Sequence, residues 1–273
     1  MKPYDVTALG ELLIDFTENG TSSQGNPILE ANPGGAPCNV LAMLNRLEHK
    51  TAFIGKIGKD MFGAQLEAAL EEVGIDTRGL KKDENVHTTL AFVHTLDDGD
   101  REFSFYRNPG ADMMLSEADI DEELIASSKI FHYGSLSMTD ETCRKATRKA
   151  IEIAEKSGAL LSFDPNLREP LWKSLADAKR EILYGMEHCH ILKISDNEIQ
   201  WLTGLEDFDE GIDVLLRSFH IPLILLSLGK EGSRAYTNNL CVSKAAILQE
   251  HTIETTGAGD TFCACILHYV LSH

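Results

Sequence analysis

The segment TIETTGAGDTF, at residues 252–262, combines a glycine turn, a carboxylate and the start of an apolar run. A glycine turn that leads into a helix is a natural anion site, because the first N–H groups of a helix lack partners and the helix dipole is positive there. Asp260 places a negative charge at this position. The segment therefore predicts either a simple helix cap or an acid that acts beside a bound anion.

A second glycine pair stands in the segment NPGGAPCNVLAMLNRL, at residues 32–47. Gly34 and Gly35 precede Pro37, which is favoured in the first turn of a helix, and the apolar spacing after it predicts a helix. The glycines would let a ligand approach the backbone, and Asn39 would present an amide from the first turn. Glycines before a helix often only make a turn. The chain has no P-loop motif, and no G-x-G-x-x-G follows the first strand, which disfavours a dinucleotide-binding fold.

Short apolar runs that end in Gly, Ser or Asp alternate with amphipathic stretches along the chain. Such runs are typical of strands buried on both faces, and their alternation with helices predicts a parallel sheet covered on both sides. Ligands of these sheets bind at the carboxyl ends of the strands. The sequence predicts one domain, with strands at residues 4–10, 51–58, 129–135, 159–164, 190–195 and 223–229 and its clearest helices at 61–73 and 140–157.

Two stretches depart from this alternation, at about residues 11–32 and 88–107. The second contains the turn DDGD between alternating apolar positions, which predicts a hairpin. Neither stretch has the pattern of a crossover helix. We predict that they form a small accessory sheet that stands off the main sheet. An edge hairpin of the main sheet is the alternative.

The composition and charge of the chain limit the kinds of partner that it is expected to bind. The 273 residues carry a net charge of -18 without any block of Lys or Arg, so nucleic acid and anionic membranes are not expected partners. The chain shows neither a signal-peptide pattern nor an apolar run of membrane-spanning length, which predicts a cytoplasmic protein. The cysteines lack CxxC spacing, so we expect reduced and mostly buried thiols, with a zinc site as the alternative. They are Cys38, Cys143, Cys189, Cys241, Cys263 and Cys265.

Taken together, these segments resemble the ribokinase-like (PfkB) carbohydrate kinases. The two signatures of that family are matched by GGAPCNVLAMLNRLEHKTAFIGKIGKDMFG and ETTGAGDTF. Its fructokinase branch is matched by GELLIDF, RNPGAD, FDPNLREPLW and KISDNEIQWLTG, in the family's order and over the whole chain. The resemblance implies a three-layer α/β/α sandwich with a mostly parallel central sheet and a small β-sheet lid.

The resemblance also implies a reaction, the MgATP-dependent phosphorylation of a sugar hydroxyl. Phosphoryl transfer depends on positioning and charge stabilisation more than on covalent chemistry. The N–H groups of Gly257, Ala258 and Gly259 would face the transferring phosphoryl group. Asp260 would lie beside that group and accept the proton of the attacking hydroxyl. The acid and the anion site would then act on opposite ends of one reaction.

Sugar-binding residues are carried over from the resemblance by position. Asp15 matches an acid that accepts sugar hydroxyls, with a solvated turn acid as the alternative. For Arg107 the alternative is a solvated hairpin arginine, and Phe105 or Tyr106 would either close over the sugar or only pack within the lid. The expected substrate-binding residues are Asp15, Gly34, Gly35, Asn39, Arg107, Asp164 and Arg168.

Nucleotide-binding residues follow the later strands. Lys193 and Glu198 match the nucleotide-side pair of the family, with Glu198 linked to magnesium through water, and a surface ion pair is the alternative. Many relatives have Asn where this chain has Ser195, which leaves open how magnesium is contacted. The segment SLGKEGS resembles the loop along the ATP phosphates and ribose. The expected ATP-binding residues are Lys193, Glu198, Ser227, Gly229 and Gly232.

A potassium site is a further expectation from the resemblance. Many relatives have Asp where this chain has Glu254, and that acid lies near a potassium ion together with the threonine two residues on, here Thr256. The longer Glu carboxylate could still reach a monovalent ion. Potassium therefore stays open as a metal in addition to MgATP.

The substrate expected first is fructose, which would be converted to fructose 6-phosphate. Another ketose or a keto-sugar acid such as 2-keto-3-deoxygluconate is the alternative within the class. A catalytically silent sugar- or nucleotide-binding protein of the same fold is the alternative outside it. A homodimer formed through the lid is also expected.

The C-terminal run TFCACILHYVLSH predicts a helix that is apolar nearly all round. Relatives continue beyond this helix, so the resemblance predicts that this chain is a C-terminally shortened form of a longer kinase. The shortened form is expected to bind ATP poorly. We therefore expect an exposed apolar patch formed by Ile266, Leu267, Val270 and Leu271.

Overall fold

The computed structural model describes residues 2–95, 101–247 and 256–273, which form two sheets and the helices that pack on them. The strands are β1 (Tyr4–Leu9), β2 (Leu13–Thr21), β3 (Pro27–Gly34), β4 (Thr51–Gly58), β5 (Asp76–Asp83), β6 (Leu90–Thr95), β7 (Arg101–Tyr106), β8 (Ser128–Gly134), β9 (Leu160–Asp164), β10 (Ile191–Ser195), β11 (Leu223–Ser227), β12 (Ser233–Thr237) and β13 (Leu240–Lys244). The α-helices are α1 (Ala36–Arg46), α2 (Met61–Glu72), α3 (Glu122–Ala126), α4 (Glu141–Lys156), α5 (Leu175–His188), α6 (Asp196–Thr203), α7 (Phe208–Ser218) and α8 (Ala258–Ser272).

The main sheet has the strand order β13-β12-β11-β10-β9-β8-β1-β4-β5. Neighbouring strands from β11 to β5 are parallel, and β12 and β13 add an antiparallel edge. Every strand expected from an apolar run lies in the parallel part, which confirms that prediction. The strands β5, β12 and β13 lack a continuous apolar run because their residues are polar or partly exposed, so the pattern does not reveal them.

Helices cover both faces of the main sheet, because alternate residues of a strand point to opposite sides. On β1, Val6 and Ala8 pack in the core formed with α1, α2 and α8. Leu9 packs in the second core, formed with α3 to α7. In that second core Tyr133 stacks on Phe163, with ring centroids 4.9 Å apart. The predicted three-layer α/β/α sandwich is confirmed.

The lid sheet has the strand order β3-β2-β6-β7 and is separate from the main sheet. Strand β2 pairs antiparallel with β3 and parallel with β6, and β6 pairs antiparallel with β7. This arrangement confirms the accessory sheet, and the alternative of an edge hairpin on the main sheet is wrong. The turn DDGD of the predicted hairpin, at residues 97–100, lies outside the described residues.

The C-terminal helix α8 packs along α1, and this corrects one expectation. Leu267 is wholly buried, and Ile266, Val270 and Leu271 are half-buried against the core shared with α1. The expected apolar patch on these four residues is therefore wrong, because α1 already covers that side of the helix. The exposed large side chain of α8 is Tyr269. A shortened chain stays a prediction.

The cysteines behave as core residues for the most part. Cys38, Cys143, Cys189 and Cys263 are buried free thiols, and Cys241 and Cys265 are exposed free thiols. This distribution confirms the expectation that most cysteines are buried. In the described part of the chain no helix is long and apolar enough to cross a bilayer.

Candidate active site

A cavity of about 330 Å³ opens where the carboxyl ends of the parallel strands meet the N-termini of α1 and α8. Because all parallel strands end at this edge, residues that follow different strands converge here. A neighbouring cavity of about 360 Å³ shares Asp15 and Asn39 with it and is also lined by Gly34. Of the residues expected from the sequence, the first cavity is lined by Asp15, Gly35, Asn39, Arg168, Lys193, Glu198, Thr256, Gly257, Gly259 and Asp260.

Asp260 lies in the first turn of α8 and is only 8% exposed. The N-cap residue Gly257 has φ 74, and no side chain in the described helix end caps it, so first-turn N–H groups are left for a ligand. The Asn39 amide donates a 2.8 Å hydrogen bond to Oδ2 of Asp260. The pKa of Asp260 is raised overall, because the effect of burial exceeds the lowering by this hydrogen bond and by the charges of Lys193 and Arg168. The hydrogen bond to another helix favours an acid held for chemistry over a simple helix cap.

Lys193 forms a buried ion pair with Asp164. The Lys193 Nζ lies 3.0 Å from Oδ2 and 3.3 Å from Oδ1 of Asp164. Burial lowers the pKa of Lys193, but Asp164 and Glu198 more than offset this and raise it, so the ammonium is charged. Burial also raises the pKa of Asp164 to about 6. Because Lys193 and Glu198 are both buried, the alternative of a surface ion pair between them is wrong.

The ammonium of Lys193 is close to the first turn of α8. A Cβ atom built on Gly259 would lie 3.1 Å from Nζ, so glycine at this position leaves room for the lysine. A positive charge and the first-turn N–H groups at one helix end together favour an anion there. The structure thus brings the expected phosphate-facing turn and the expected nucleotide-side lysine together.

Glu198 is held by a capping box at the start of α6. Its Oε2 accepts hydrogen bonds of 2.8 Å from both the N–H and the Oγ of Ser195. Its Oε1 accepts a 2.8 Å hydrogen bond from the N–H of Leu167. The Ser195 hydroxyl therefore orients the carboxylate, because a serine at the N-cap bonds with the residue three positions on. Ser195 thus holds Glu198 at the edge of the cavity.

Close contacts with other parts of the chain require glycine at both Gly34 and Gly35. A Cβ atom on Gly34 would collide with the carboxylate of Asp15, which lies on β2 of the lid sheet. Gly35 has φ 120, and a Cβ atom on it would collide with the carbonyl oxygen of Glu11. These glycines therefore do more than make a turn, since they allow Asp15 and Asn39 to line one cavity.

The two candidate arginines have different surroundings. Arg168 lines the cavity, and its charge lowers the pKa of Asp260. Arg107 is buried, and its Nη2 and Nε lie 2.7 Å and 2.8 Å from Oδ2 of Asp112. Its Nη1 also donates to Thr139 Oγ1 at 2.9 Å. The solvated alternative for Arg107 is wrong, and these contacts favour a structural role over direct sugar contact, because they occupy most of the guanidinium.

The expected ATP loop follows β11. Ser227 ends this strand opposite Ser195 in the register of β10 and β11. Gly232 has φ 114, and a Cβ atom there would collide with the carbonyl oxygen of Lys244, so the loop needs glycine. Gly229 also has a positive φ of 52. Among the described residues that line the cavity, Ser227, Gly229 and Gly232 do not occur, so their contact with ATP stays a prediction.

The potassium pair is described only in part. Thr256 lines both cavities at the edge of the lid sheet. Glu254 lies outside the described residues. The potassium site therefore stays a prediction.

Sequence reasoning missed Glu11, which lies just after β1 and lines the cavity. It is 4% exposed, and burial raises its pKa to about 7. The available signal was a carboxylate inside the apolar run LGELLI. The remaining missed lining residues are Leu13, Ala36, Leu136 and Asn166. On the lid, Phe105 lines the cavity, whereas Tyr106 is 68% exposed.

The oxygen atoms near Lys193 fit a magnesium ion that is held largely through water. Oδ2 of Asp164 is buried, and the Lys193 ammonium lies 3.0 Å from it. The Glu198 carboxylate also faces the cavity, and carboxylates with water are the ligands that Mg²⁺ prefers. Within the described residues no set of three or more His, Cys, Asp or Glu forms a ready-made metal cage. A binding mode through one or two carboxylates and the substrate phosphates is consistent with this arrangement.

The fold and this site define a class of protein, the sugar kinases with a ribokinase-like α/β fold and a β-sheet lid. The model of the pfkB family carbohydrate kinases matches residues 4–273. The chain belongs to this family and is a carbohydrate kinase.

Individual relatives give a consistent comparison. The chain is 44% identical to the probable fructokinase-2 of Arabidopsis thaliana, over 97% of this chain and 81% of the relative. The crystal structure of fructokinase with bound ATP from Xylella fastidiosa is similar with a TM-score of 0.90 and 28% identity, over 100% of this chain and 83% of that one. A double mutant of fructokinase from Vibrio cholerae O395, with bound fructose, ADP and potassium ion, has a TM-score of 0.89 and 28% identity, over 100% and 86% of the two chains.

Proposed function

We propose that this protein is a fructokinase, which transfers the γ-phosphoryl group of ATP to a hydroxyl of fructose and yields fructose 6-phosphate. One observation carries the proposal. Asp260 is buried beside the first-turn N–H groups of α8, is held by Asn39, and shares a cavity with Asp15 and Lys193. The fructokinases named above support the choice of sugar.

In the proposed reaction Asp260 accepts the proton of the sugar hydroxyl as that oxygen attacks the γ-phosphorus. The bond between the γ-phosphorus and the oxygen that bridges to ADP breaks, and ADP leaves. The N–H groups of Gly257, Ala258 and Gly259 stabilise the charge on the transferring group, and Lys193 adds a positive charge next to them. The raised pKa of Asp260 makes it a better proton acceptor than an exposed aspartate.

The proposed sugar site is the part of the cavity beneath the lid sheet. Asp15 and Asn39 offer polar atoms to the sugar hydroxyls, and Arg168 provides a positive charge nearby. Phe105 offers an apolar surface for one face of the sugar. Gly35 lines this cavity and Gly34 lines the neighbouring one, so both are proposed to contact the sugar through their main chain, while Asp15 and Glu11 fill the space that their Cβ atoms would need.

The proposed cofactors are magnesium, with potassium as a second metal. Magnesium would be held by Glu198 through water and by Asp164, and when bound it neutralises phosphate charge. ATP would extend from Lys193 along Ser227, Gly229 and Gly232. Potassium would be held near Glu254 and Thr256.

A homodimer through the lid sheet is also part of the proposal. The strand β3 forms one edge of the lid sheet and exposes Ile28 and Leu29. Exposed apolar side chains on an edge strand favour association. The mass in solution, measured by light scattering with and without fructose, tests this point.

A coupled assay of ADP release tests the function. The protein is supplied with MgATP and a panel of hexoses, pentoses, nucleosides and keto-sugar acids, with Asp260→Asn as the blank. We expect fructose to give the highest kcat/KM. A higher kcat/KM for 2-keto-3-deoxygluconate would replace fructose as the substrate. ADP release no faster than in the blank for every compound would indicate a silent binding protein.

A further inference from the structure

Glu11 is a buried acid that the proposed reaction does not use. It follows β1, is 4% exposed, and lies between the start of α1 and the buried pair Arg107 and Asp112. Its Oε1 accepts a 2.9 Å hydrogen bond from the N–H of Ala36, the first residue of α1. Burial of a carboxyl group costs free energy unless the group is hydrogen-bonded or paired. The hydrogen bond to Ala36 is therefore the contact from which we infer the role of Glu11.

The start of α1 depends on residues outside the helix. Gly35 is its N-cap residue and provides no side-chain cap, and the first turn has no acidic residue among those described. Pro37 lies in the first turn and has no N–H group to donate. Glu11 thus supplies both an acceptor and a carboxyl group at the positive end of α1.

The main chain of residue 11 touches the same turn. A Cβ atom on Gly35 would collide with the carbonyl oxygen of Glu11, so the two backbones are in close contact. Both the side chain and the carbonyl group of Glu11 therefore define where α1 begins.

Asn39 lies in the first turn of α1 and contacts the proposed catalytic acid, Asp260. The Asn39 N–H donates to the carbonyl oxygen of Gly35 at 3.0 Å, which places Asn39 one turn after the contact with Glu11. The Asn39 side chain then donates its 2.8 Å hydrogen bond to Oδ2 of Asp260. A shift of the first turn would move this amide away from the carboxylate.

We propose that Glu11 is a positioning residue for the phosphoryl transfer, because it holds the start of α1 and thereby holds Asn39 against Asp260. This inference rests on the proposed function, in which Asp260 is the base. It assigns Glu11 no contact with the reacting atoms. A misplacement of reacting groups by about 1 Å can lower a rate on the order of 100-fold, so a hydrogen bond one turn away is sufficient for an effect on turnover.

The test compares Glu11→Ala, Glu11→Gln and Asn39→Ala with the wild-type chain. We expect Glu11→Ala to lower kcat by about 10- to 100-fold and to change the KM for fructose by no more than Asn39→Ala does. Glu11→Gln keeps an acceptor oxygen for the Ala36 N–H and should lose less kcat than Glu11→Ala. Asp207→Ala is the matched control, since Asp207 caps α7 at a distance from the cavity and should leave kcat unchanged.

A double variant tests whether Glu11 acts through Asn39. If both residues act in series, Glu11→Ala combined with Asn39→Ala has the kcat of Asn39→Ala within about threefold. Additive losses would overturn the proposal. A rise in the KM for fructose without a loss of kcat would also overturn it, because Glu11 would then bind the sugar directly.

The pKa of Asp260 provides a measurement that needs no turnover. It is measured by NMR from the carboxyl signal of ¹³C-labelled aspartate, and the signal that is missing in Asp260→Asn is assigned to Asp260. Lys193, Arg168, Asp164 and Asn39 act on this carboxyl, and only the Asn39 bond should change in the Glu11 variants. We expect the pKa of Asp260 to rise in Glu11→Ala and in Asn39→Ala, because each loses the bond that favours the ionised form.

An unchanged pKa of Asp260 in a folded Glu11→Ala protein would overturn the inference. If Glu11→Ala does not fold, the same comparison is made with Glu11→Gln, whose neutral side chain should hold Ala36 less strongly and raise the pKa in the same direction. Wild-type protein that releases no ADP with any sugar would refute the proposed function instead, and the NMR result would still decide whether Glu11 positions Asn39.

Discussion

Asn39 in α1 donates a 2.8 Å hydrogen bond to Oδ2 of Asp260 in α8, across 221 positions of the sequence. The two helices pack side by side, and their N-termini meet at the carboxyl ends of the parallel strands. The bond leaves Oδ1 of Asp260 as the oxygen that is not held by Asn39. A substrate hydroxyl that approaches from the cavity would therefore meet a carboxylate in a defined orientation.

Replacing Asp260 by Asn should lower kcat by about 10²- to 10⁴-fold, because a positioned proton acceptor is lost. Burial raises the pKa of Asp260, which means that its charge destabilises the folded state, so the variant should be at least as stable as the wild type at pH 8. The measurements are ADP release and thermal unfolding. Asp207→Asn is the matched control at another helix start. Wild-type turnover by folded Asp260→Asn would contradict the assignment of the base.

Replacing Asp15 by Ala should raise the KM for fructose much more than the KM for ATP. A hydrogen bond to an ionised acceptor contributes about 1.5–3 kcal/mol, which corresponds to roughly 10- to 100-fold in binding. Both Michaelis constants are measured for this variant and for Glu18→Ala, which removes an exposed acid from the same strand. A rise confined to the KM for ATP would mean that the sugar is misplaced in the proposed site.

Replacing Lys193 by Met should destabilise the protein by about 3–5 kcal/mol, because Asp164 would be left buried without its counter-charge. The pKa of Asp164 should rise further, since Lys193 is the group that lowers it. Adding Asp164→Asn should restore much of the stability while ADP release stays low. Urea unfolding and the ADP assay separate the two effects. Full activity of the double variant would show that the pair is only structural.

Replacing Arg107 by Met should lower stability by about 3–5 kcal/mol for the same reason, because Asp112 loses its buried partner. Adding Asp112→Asn should recover part of this loss. We expect the KM for fructose of the double variant to stay within about threefold of the wild type, since the guanidinium is occupied by protein groups. A rise of about tenfold or more would instead support the sugar contact expected from the sequence.

Replacing Glu11 by Gln should change the pH dependence of stability. Burial raises the pKa of Glu11 from 4.5 to about 7, so the folded state binds its proton more tightly than the unfolded state does. This contribution is present at low pH and is lost as the pH rises from about 4.5 to 7, and it corresponds to about 3 kcal/mol at most.

Urea unfolding of the wild type and of Glu11→Gln at pH 5 and pH 8 measures this effect. The variant should gain stability relative to the wild type at the higher pH. An equal difference between the two proteins at both pH values would mean that Glu11 does not titrate in this range.

Several features were predictable because they depend on local chemistry. The central parallel strands are continuous apolar runs, and a strand buried on both faces needs such a run. Gly257 and Asp260 were identified because a glycine turn before a helix has unpaired N–H groups wherever it occurs. The glycine pair Gly34 and Gly35 was identified in the same way, although the collisions that require glycine there became visible only in the folded chain.

The pairing of charged groups was decided by the tertiary structure. Lys193 was expected to act with Glu198, five residues on, but its ion-pair partner is Asp164 on the neighbouring strand β9. Arg107 was read as either a sugar ligand or a solvated residue, and it proved to be buried against Asp112. Such partners depend on strand register and on how loops pack.

Glu11, Asn39 and the C-terminal helix show the same division. The sequence by itself determined that α8 is apolar and that Asn39 lies in the first turn of α1. Only the packing of α1 against α8 decided that Leu267 is covered and that Asn39 reaches Asp260. Only the approach of the segment after β1 to α1 decided that Glu11 accepts a hydrogen bond from the N–H of Ala36. The physical reason is that periodicity fixes which side of a helix is apolar, whereas the groups that meet that side come from distant parts of the chain.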